Sequence, residues 1–394
     1  MKILAIEYND TSIYDLKKFS KEEITIYRIP SKDREEFVDK SKVLFFDTMN
    51  IKEQVKKINQ IKDKFDICIV TSWSSARIAY LADLNYIMWF NGNDIRFPPF
   101  LNKFAFSSSK KPRYNLNFLE RFFYKKILDN AIVCITGAEE MFEYLKNFRK
   151  DSIRIDRAVL DTGLFKSENN KLKIKKFTFF CPQRITFEKG TDIIWKAIAL
   201  SKSDFDFIQV DWLDKTIPFS KFEREELIKN KPEKVKLISK IPRDKIYEFY
   251  TNANALIGDM KIGYPNNIER EAALCKIPVL SYNNPEISFL IDDKEVKSPF
   301  LPQTKDPKEL AELMDKIVES EEFRNNLSND EYEFIKELGD PHKAAHEWDS
   351  VFRLTKNNVK SIRKDSSLIR LKLRQINFTL GKFFHFYQKQ SDFF

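Results

Sequence analysis

Hydrophobic residues in the first half of the chain come in short runs of strand length, separated by segments with helical spacing. Strands are predicted at 2–6, 24–29, 43–46, 67–70, 87–90 and 132–135. Between two of them, the segment from Ile51 to Phe65 repeats apolar residues at the three- and four-residue intervals of a helix face. Strands that alternate with helices predict an α/β fold in which parallel sheets carry helices on both faces.

The second half continues this alternation after a polar segment, 166–175, which has the composition of an interdomain linker. Further strands are predicted at 177–181, 207–210, 235–238, 255–258 and 279–280, and a helix at 191–200. A chain of 394 residues is long enough for two domains, each with its own core. We therefore predict domains at 1–165 and 166–340, followed by a C-terminal helix that crosses back and a basic, aromatic tail at 341–394.

One later helix has a well-defined start in the sequence. Asp306 is a suitable N-cap, Pro307 suits the first helical position, and Glu309 is placed to complete a capping box. The prediction is a helix beginning at Pro307.

A candidate anion site follows the predicted strand 255–258. Asn266 and Asn267 suit the cap of a helix at 268–275, and a strand, a loop and a helix N-terminus together present free backbone N–H groups that suit a phosphate. Glu269 and Glu271 in the first helical turn suit that terminus electrostatically, and either can accept hydrogen bonds from a ribose. The alternative is that both only stabilise the helix start, which is the favoured interpretation for Glu269 alone.

Positive charge for such a site is found in the loop 183–189, between a predicted strand and a predicted helix. An arginine and a lysine in one loop, here Arg184 and Lys189, can bind a diphosphate, the arginine by paired hydrogen bonds and the lysine as a point charge. The alternative is that both side chains are simply solvated.

The two stretches 181–192 (CPQRITFEKGTD) and 254–282 together resemble the donor-nucleotide domain of the retaining glycosyltransferase family four, the glycosyl transferases group 1. Members of that family have the GT-B fold of two facing Rossmann-like domains. The resemblance implies that Arg184 and Lys189, which match the family's R-x4-K, bind the donor diphosphate. It also implies that Glu271, in the match to the family's last E-A-x-A-x-G-x-P-V motif, contacts the ribose.

The resemblance extends over roughly residues 1 to 355. The segment 86–96 (YIMWFNGNDIR) is similar to the family's strand ending in H-G-x-D-x-R, which implies that Asn91, Asp94 and Arg96 face the acceptor and the sugar. The segment 155–165 is similar to the family's P-N-G-V-D connector, and 306–317 is similar to the helix that follows the donor site.

Three features depart from the family pattern. Gly263 stands where the E-x7-E motif has its first glutamate, and the glycine-rich turn that follows is replaced by residues 264–267. Within that turn, Pro265 removes one N–H that would otherwise be available to a phosphate. Asn91 replaces the family histidine; it can donate a hydrogen bond to a sugar hydroxyl but cannot act as a general acid or base.

Basic and aromatic residues are concentrated in two segments. Residues 356–394 contain nine basic and two acidic residues, so +7 of the net charge of +9 lies in this tail. Such a tail suits an anionic membrane surface, and the alternative is that it packs back on the first domain. The segment 97–126 suits an anionic acceptor, such as a phospholipid-linked or acidic glycan, or is a solvated face with buried phenylalanines. No recognised nucleic-acid-binding module accompanies the charge.

Composition otherwise fits a soluble cytoplasmic protein. No apolar run approaches the ~20 residues of a membrane span, and the apolar segment of the N-terminus is too short for a signal peptide. The four cysteines are widely spaced and indicate reduced core residues. His342 and His346 lie four apart near Glu347, a spacing that can hold a metal, but the sequence places no third ligand, and we predict no metal and no cofactor.

Our hypothesis is a retaining, metal-independent glycosyltransferase that moves a sugar from a nucleotide-diphosphate sugar to a glycan or lipid-linked acceptor, in the cytoplasm or at the inner face of the membrane. Arg184, Lys189 and Asn91 are its predicted catalytic residues; its donor-binding residues are Arg184, Lys189, Gly263, Asn266, Asn267, Glu269 and Glu271; Asp94 and Arg96 are on the acceptor side. The rival is a catalytically degenerate GT-B scaffold that binds a glycan or a protein, for which Gly263, Pro265 and Asn91 are the grounds. A nucleotide-sugar epimerase of the same fold is less well supported by the motifs.

Overall fold

The computed structural model describes residues 1–7, 12–30, 43–96, 98–101, 116–161, 165, 176–212, 220–242 and 245–362. The chain divides into two compact units, one made of Met1–Val159 with Pro341–Phe394 and the other of Leu160–Asp340. Most of the basic tail and most of the segment 97–115 lie outside the described residues.

The first unit is built on a parallel sheet. Its elements in chain order are β1 (Lys2–Glu7), α1 (Ser12–Phe19), β2 (Glu23–Arg28), β3 (Leu44–Phe45), α2 (Ile51–Ile61), β4 (Ile67–Val70), α3 (Trp73–Leu81), β5 (Tyr86–Phe90), α4 (Asn93–Arg96), α5 (Phe118–Asn130), β6 (Val133–Thr136), α6 (Glu139–Lys146) and β7 (Ile153–Arg154). In the described residues the sheet order is β3-β2-β1-β4-β5-β6-β7, with every neighbouring pair parallel. This is the doubly wound arrangement that the alternating pattern predicts.

The second unit repeats this plan on a smaller scale. Its elements are β8 (Thr178–Cys181), α7 (Thr191–Leu200), β9 (Asp206–Asp211), α8 (Ser220–Ile228), β10 (Val235–Ser239), α9 (Ile246–Thr251), β11 (Ala255–Ile257), α10 (Asn267–Leu274), β12 (Val279–Leu280), β13 (Phe289–Ile291), β14 (Lys294–Val296), α11 (Pro307–Glu319) and α12 (Glu321–Leu338). The parallel sheet has the order β10-β9-β8-β11-β12, while β13 and β14 form an antiparallel pair. The strand order therefore reverses between β8 and β11, which in such sheets marks the ligand site at the carboxyl ends of the strands.

The last helix, α13 (Pro341–Ile362), belongs to the first unit. Trp348 is fully buried, with its ring centroid 4.5 Å from that of Trp89 on β5. Asp349 accepts hydrogen bonds from the Lys21 backbone N–H, at 3.1 Å, and from the Ser20 hydroxyl. The helix therefore closes one face of the first sheet.

The α/β fold class and the predicted strands are confirmed, and the bounds of β4, β12 and α7 agree with the prediction. The helix predicted over 51–65 ends at Ile61, after which Lys62–Lys64 form one tighter 3-10 turn. None of the described helices combines the length and apolar composition needed to cross a bilayer. All four cysteines are buried thiols, and burial raises the pKa of Cys134, Cys181 and Cys275 to about 12.

One part of the prediction for the start of α11 is wrong. Asp306 caps the helix as predicted, accepting from the Lys308 N–H at 3.0 Å, and Pro307 is its first residue. Glu309, however, does not complete the capping box with the Asp306 N–H, which donates to the Thr304 hydroxyl instead. The Glu309 carboxylate accepts from the Gln303 N–H and the Thr304 hydroxyl because the preceding turn brings these donors closer.

A buried glutamate on α12 gives the fold a pH dependence. Glu331 is fully buried, and its Oε2 accepts from the Val279 N–H of β12 at 2.9 Å. Its Oε1 has no hydrogen-bond partner among the described residues. Burial raises the pKa of this carboxyl well above its ordinary value, so the folded protein favours the protonated form.

We expect Glu331→Gln to remove part of the pH dependence of stability. A raised pKa in the folded state stabilises the fold below the unfolded pKa, near 4.5, and this contribution is lost as pH rises toward the folded value. The neutral amide avoids that loss, so the variant should be more stable than the parent at pH 7 and close to it near pH 4. Denaturant unfolding across this pH range measures both; a gap that does not widen with pH would contradict the prediction.

Candidate functional site

The loop that leaves β8 lies at the reversal point of the second sheet. Within it a 3-10 turn, Phe187–Lys189, is capped by the Thr186 side chain, which accepts from the Lys189 N–H at 3.3 Å. Gly190 has a positive φ of 73°, and a Cβ there would lie 2.6 Å from the Met260 Cβ. Only glycine fits this position, because the backbone is left-handed and the loop after the neighbouring strand β11 approaches closely, and both exclude a side chain.

Lys189 is held by a buried carboxylate across the reversal point. Its ammonium lies 2.7 Å from Oδ2 of Asp259, which follows β11 directly after Gly258 and is fully buried. The other oxygen of Asp259 accepts from the backbone N–H groups of Lys261, at 2.8 Å, and Ile262, at 3.1 Å. Asp259 thereby fixes a cation at the carboxyl ends of β8 and β11 and leaves the ammonium two further N–H donors.

Glu269 joins the same segments from the start of α10. Its Oε1 accepts from the Gln183 amide and the Asp259 N–H, both at 2.8 Å, and its Oε2 accepts from the Asn266 N–H at 2.9 Å. The side chain is fully buried, and this burial, together with the nearby Asp259 carboxylate, raises its pKa against the opposing effect of Lys189. Glu269 therefore caps the start of α10 through the Asn266 N–H.

Glu271 lies on the same helix and is also buried, at 1% exposure. Its Oε2 accepts from the Tyr250 hydroxyl of α9 at 3.1 Å. Asn266 is the N-cap of α10, and Asn267 is its exposed first residue. The predicted donor residues Asn266, Asn267 and Glu269 thus share one helix start, with Glu271 half a turn further along.

The backbone at Gly263 is unfavourable for the glutamate of the family pattern. Its φ is +93°, and an added Cβ would lie 3.0 Å from both the Tyr282 ring and the Asn284 Cβ. Its carbonyl accepts from the Asn284 N–H at 2.8 Å, which ties the turn to the segment after β12. The departure from the family pattern at this position is therefore part of the local packing.

Three neighbouring strand ends carry cationic and aromatic side chains. The guanidinium carbon of Arg184 lies 5.6 Å from the ring centre of Trp212, which follows β9, and the Lys240 ammonium, after β10, lies 5.7 Å from the same ring. Arg184 is 13% exposed and has Glu188 at 3.9 Å. Asp259 and Trp212 were not among the sequence-based candidates, although each stands within two residues of a predicted strand end, where site residues of such sheets occur.

The predicted acceptor-side residues lie together in the first unit. Asn91 is exposed and directly follows β5, and Asp94 and Arg96 lie on the short helix α4. The Asp94 carbonyl accepts from the Trp73 indole N–H at 2.8 Å. Arg96 is 8% exposed and lies 3.2 Å from the Glu140 carboxylate. This cluster forms a second group of polar side chains at a strand end, in a different unit from Arg184 and Lys189.

The described residues contain no group of three or more His, Cys, Asp or Glu side chains placed to hold a metal ion. His342 packs edge-on against the Phe19 ring at 5.2 Å, and Glu347 pairs with Arg157 at 3.0 Å. What the second unit does offer is an ammonium and a guanidinium at the carboxyl ends of parallel strands. That arrangement suits a doubly charged phosphate group.

We expect the Lys189–Asp259 pair to be strongly coupled. Lys189→Ala leaves the buried Asp259 carboxylate without its ammonium and should lower the free energy of unfolding by about 2 to 4 kcal/mol. Lys189→Ala with Asp259→Asn should recover part of that loss, giving a coupling energy of roughly 1 to 3 kcal/mol.

The exposed pair of Glu333 and Lys336 on α12, at 3.5 Å, serves as the matched control, with an expected coupling below about 0.5 kcal/mol. Chemical denaturation of both double-mutant cycles is the measurement. Equal coupling in the two cycles would mean that Lys189 is not held as the structure shows.

Comparison with known proteins relates the chain to one family model and to several solved structures. Residues 165–334 match the family model described as Glycosyl transferases group 1. No curated protein matches the chain. Among solved structures, sucrose-phosphate synthase from Thermosynechococcus elongatus is similar over 90% of this chain and 99% of its own, with a TM-score of 0.69 and 12% identity.

Two further structures are similar over their whole length. Alr3699/HepE from Anabaena, solved with UDP and glucose, has a TM-score of 0.66 and 13% identity over 90% of this chain and 99% of its own. A glycosyltransferase from Rickettsia africae has a TM-score of 0.62 and 15% identity over 93% of this chain and 99% of its own. The chain therefore has the GT-B fold, and residues 165–334, within its second unit, match the Glycosyl transferases group 1 model.

Proposed function

We propose that this protein transfers a sugar from a nucleotide-diphosphate sugar to a glycan or lipid-linked acceptor. The observation that carries the proposal is the position of Lys189 and Arg184 in the second unit. The Lys189 ammonium, in the loop after β8, is held by Asp259, which follows β11. Arg184 lies in the same loop as Lys189, within residues that match the glycosyl transferases group 1 model. A cation fixed at the reversal point of a parallel sheet and a second cation from the same loop suit a diphosphate.

The proposed reaction breaks the bond between the sugar's anomeric carbon and the diphosphate oxygen. A hydroxyl of the acceptor forms the new bond on the same face of the sugar, so the configuration is retained, and its proton leaves with the diphosphate. Negative charge grows on the departing oxygen, and Lys189 and Arg184 neutralise it. Because these two side chains supply the positive charge, we propose that the transfer needs no metal ion.

The remaining predicted residues have supporting roles in this proposal. Glu271 holds the ribose of the donor, and the α10 start near Asn267 adds backbone N–H groups. Asn91 donates a hydrogen bond to a sugar hydroxyl, and Asp94 and Arg96 contact the acceptor. The Anabaena structure contains UDP and glucose, so uridine nucleotides are the first donors to test.

We further propose that the protein works in the cytoplasm, peripheral to the inner face of the membrane. The net charge of +7 in residues 356–394 supports attraction to anionic lipid headgroups. A lipid-linked acceptor would be available at the same surface.

A second candidate is a GT-B scaffold that has lost catalysis and binds a glycan or a protein. The turn at Gly263 favours it, because this turn lacks the glutamate and its left-handed backbone would strain one. Asn91, which cannot act as an acid or base, is a further argument in its favour. The two candidates differ in whether a nucleoside diphosphate binds and whether sugar is transferred.

We expect Arg184→Ala and Lys189→Ala each to lower kcat by about 100- to 1,000-fold, because each removes charge that stabilises the leaving diphosphate. Lys196→Ala, an exposed lysine on α7, should leave transfer unchanged. The double variant Lys189→Ala with Asp259→Asn separates the roles, since it relieves the unpaired carboxylate without restoring the ammonium. Transfer assays with a radiolabelled donor sugar measure all four; normal rates in the single variants, or recovery in the double variant, would refute the roles assigned.

Nucleotide binding can be tested without knowing the acceptor. A nucleoside diphosphate at about a hundred times its Kd should stabilise the fold by about 2.7 kcal/mol. Thermal unfolding with UDP, ADP, GDP and their sugar conjugates should show a shift for one base, and Arg184→Ala should abolish it. A chain that responds to none of them would support the scaffold that has lost catalysis.

A further inference from the structure

The helix α5 in the first unit carries an unusual concentration of exposed apolar side chains. Phe118 is 71% exposed, Leu119 49% and Phe122 50%. They make up three of the ten large exposed apolar side chains found in the described residues, and all lie within five positions. Phe118 and Phe122 are four apart and therefore share one face of the helix.

The opposite side of α5 is anchored in the core. Ile127 and Leu128 are fully buried, and the Tyr124 and Phe123 rings pack edge-on against Trp73 and Tyr80 of α3, at 5.8 and 5.6 Å. The helix start is fixed by a capping box between Asn117 and Glu120. The exposed side chains therefore project from a rigid element.

Positive charge continues the exposed face toward the helix C-terminus. Lys125 and Lys126 stand seven and eight positions after Phe118, on the same face, and the Lys126 ammonium lies 5.4 Å from the Phe122 ring centre. Lys125 pairs with Asp129. Helix α5 carries Arg121, Lys125 and Lys126 against Glu120 and Asp129, a net charge of +1, and the sequence 97–117, most of which lies outside the described residues, adds four basic and no acidic residues.

We propose that this α5 face, formed by Phe118, Leu119, Phe122, Lys125 and Lys126, docks on an anionic lipid bilayer. Aromatic and leucine side chains bury in the boundary between headgroups and acyl chains, while lysines one turn away stay at the level of the phosphates. Charge complementarity selects the anionic bilayer, since each lysine near such a surface strengthens binding. This face would be the surface through which the protein contacts the membrane at the peripheral location proposed above, and it rests on that proposal.

The chain provides a matched control on the second unit. Phe222 of α8 is 68% exposed, as much as Phe118. Its helix, however, carries three glutamates against one lysine and one arginine, so it is net acidic. A general tendency of exposed phenylalanines to bind lipid would affect both positions, whereas docking through α5 affects only one.

The first measurement is sedimentation of the full chain with vesicles of phosphatidylcholine alone or mixed with phosphatidylglycerol. Binding should require the anionic lipid and weaken with salt. The triple variant Phe118→Ser, Leu119→Ser, Phe122→Ser should reduce the partition coefficient by about tenfold or more, and Lys125→Gln and Lys126→Gln by about fivefold per lysine that reaches the lipid. Phe222→Ser should bind like the parent.

The second measurement places the contact. All four native cysteines are buried, so Phe118→Cys and Phe222→Cys can each be labelled selectively with an environment-sensitive fluorophore. The label at 118 should shift to the blue on adding anionic vesicles, and the label at 222 should not. The proposal would be overturned if the full chain bound vesicles but the label at 118 showed no blue shift. It would also be overturned if the full chain did not bind anionic vesicles at all, or if the label at 118 were already buried before vesicles were added. Neither measurement uses a sugar donor, so failure here leaves the transferase proposal untouched.

Discussion

Two buried carboxylates, Asp259 and Glu269, set the local structure where the second sheet reverses its strand order. Each is fully buried, so each must be met by hydrogen-bond donors or by a cation. The donors come from three separate segments: the Gln183 amide and Lys189 ammonium after β8, the backbone N–H groups of residues 259, 261 and 262 after β11, and the Asn266 N–H at the start of α10. Satisfying two carboxylates therefore holds together the loops that carry Arg184 and Lys189.

The local packing accommodates a departure from the pattern of the family that residues 165–334 match, and the strand-end arrangement is kept. Gly263 takes a left-handed conformation that strains other residues, and a Cβ there would lie tightly against Tyr282 and Asn284. The turn is instead stabilised through its backbone, by the Asn284 N–H. The first glutamate of the family motif is thus absent from this turn. Lys189, in the loop after β8 on the other side of the reversal point, is nevertheless paired with the buried Asp259.

Sequence patterns predicted what depends on local periodicity and capping, and missed what depends on pairing between distant segments. The strands, the α10 cap and the α11 start follow from neighbouring residues, and the structure agrees on all but Glu309. The partnership of Lys189 with Asp259 spans seventy positions, and nothing in the order of residues links them. The same is true of Trp212, whose position near Arg184 and Lys240 results from three strands lying side by side.

The free energy needed to bury the Lys189–Asp259 pair is relevant to the function of the site. Taking two charges out of water costs several kcal/mol, and well-packed apolar residues in place of a buried pair are often as stable or more so. The pair is therefore a weak source of net stability, although breaking it from one side is costly. What it does provide is an ammonium held in one place at the strand ends. The Lys189 side chain is 15% exposed, and its ammonium has two N–H donors that Asp259 does not use. The two N–H donors that this ammonium does not use on Asp259 support the diphosphate role proposed for Lys189, in addition to its part in holding the loops together.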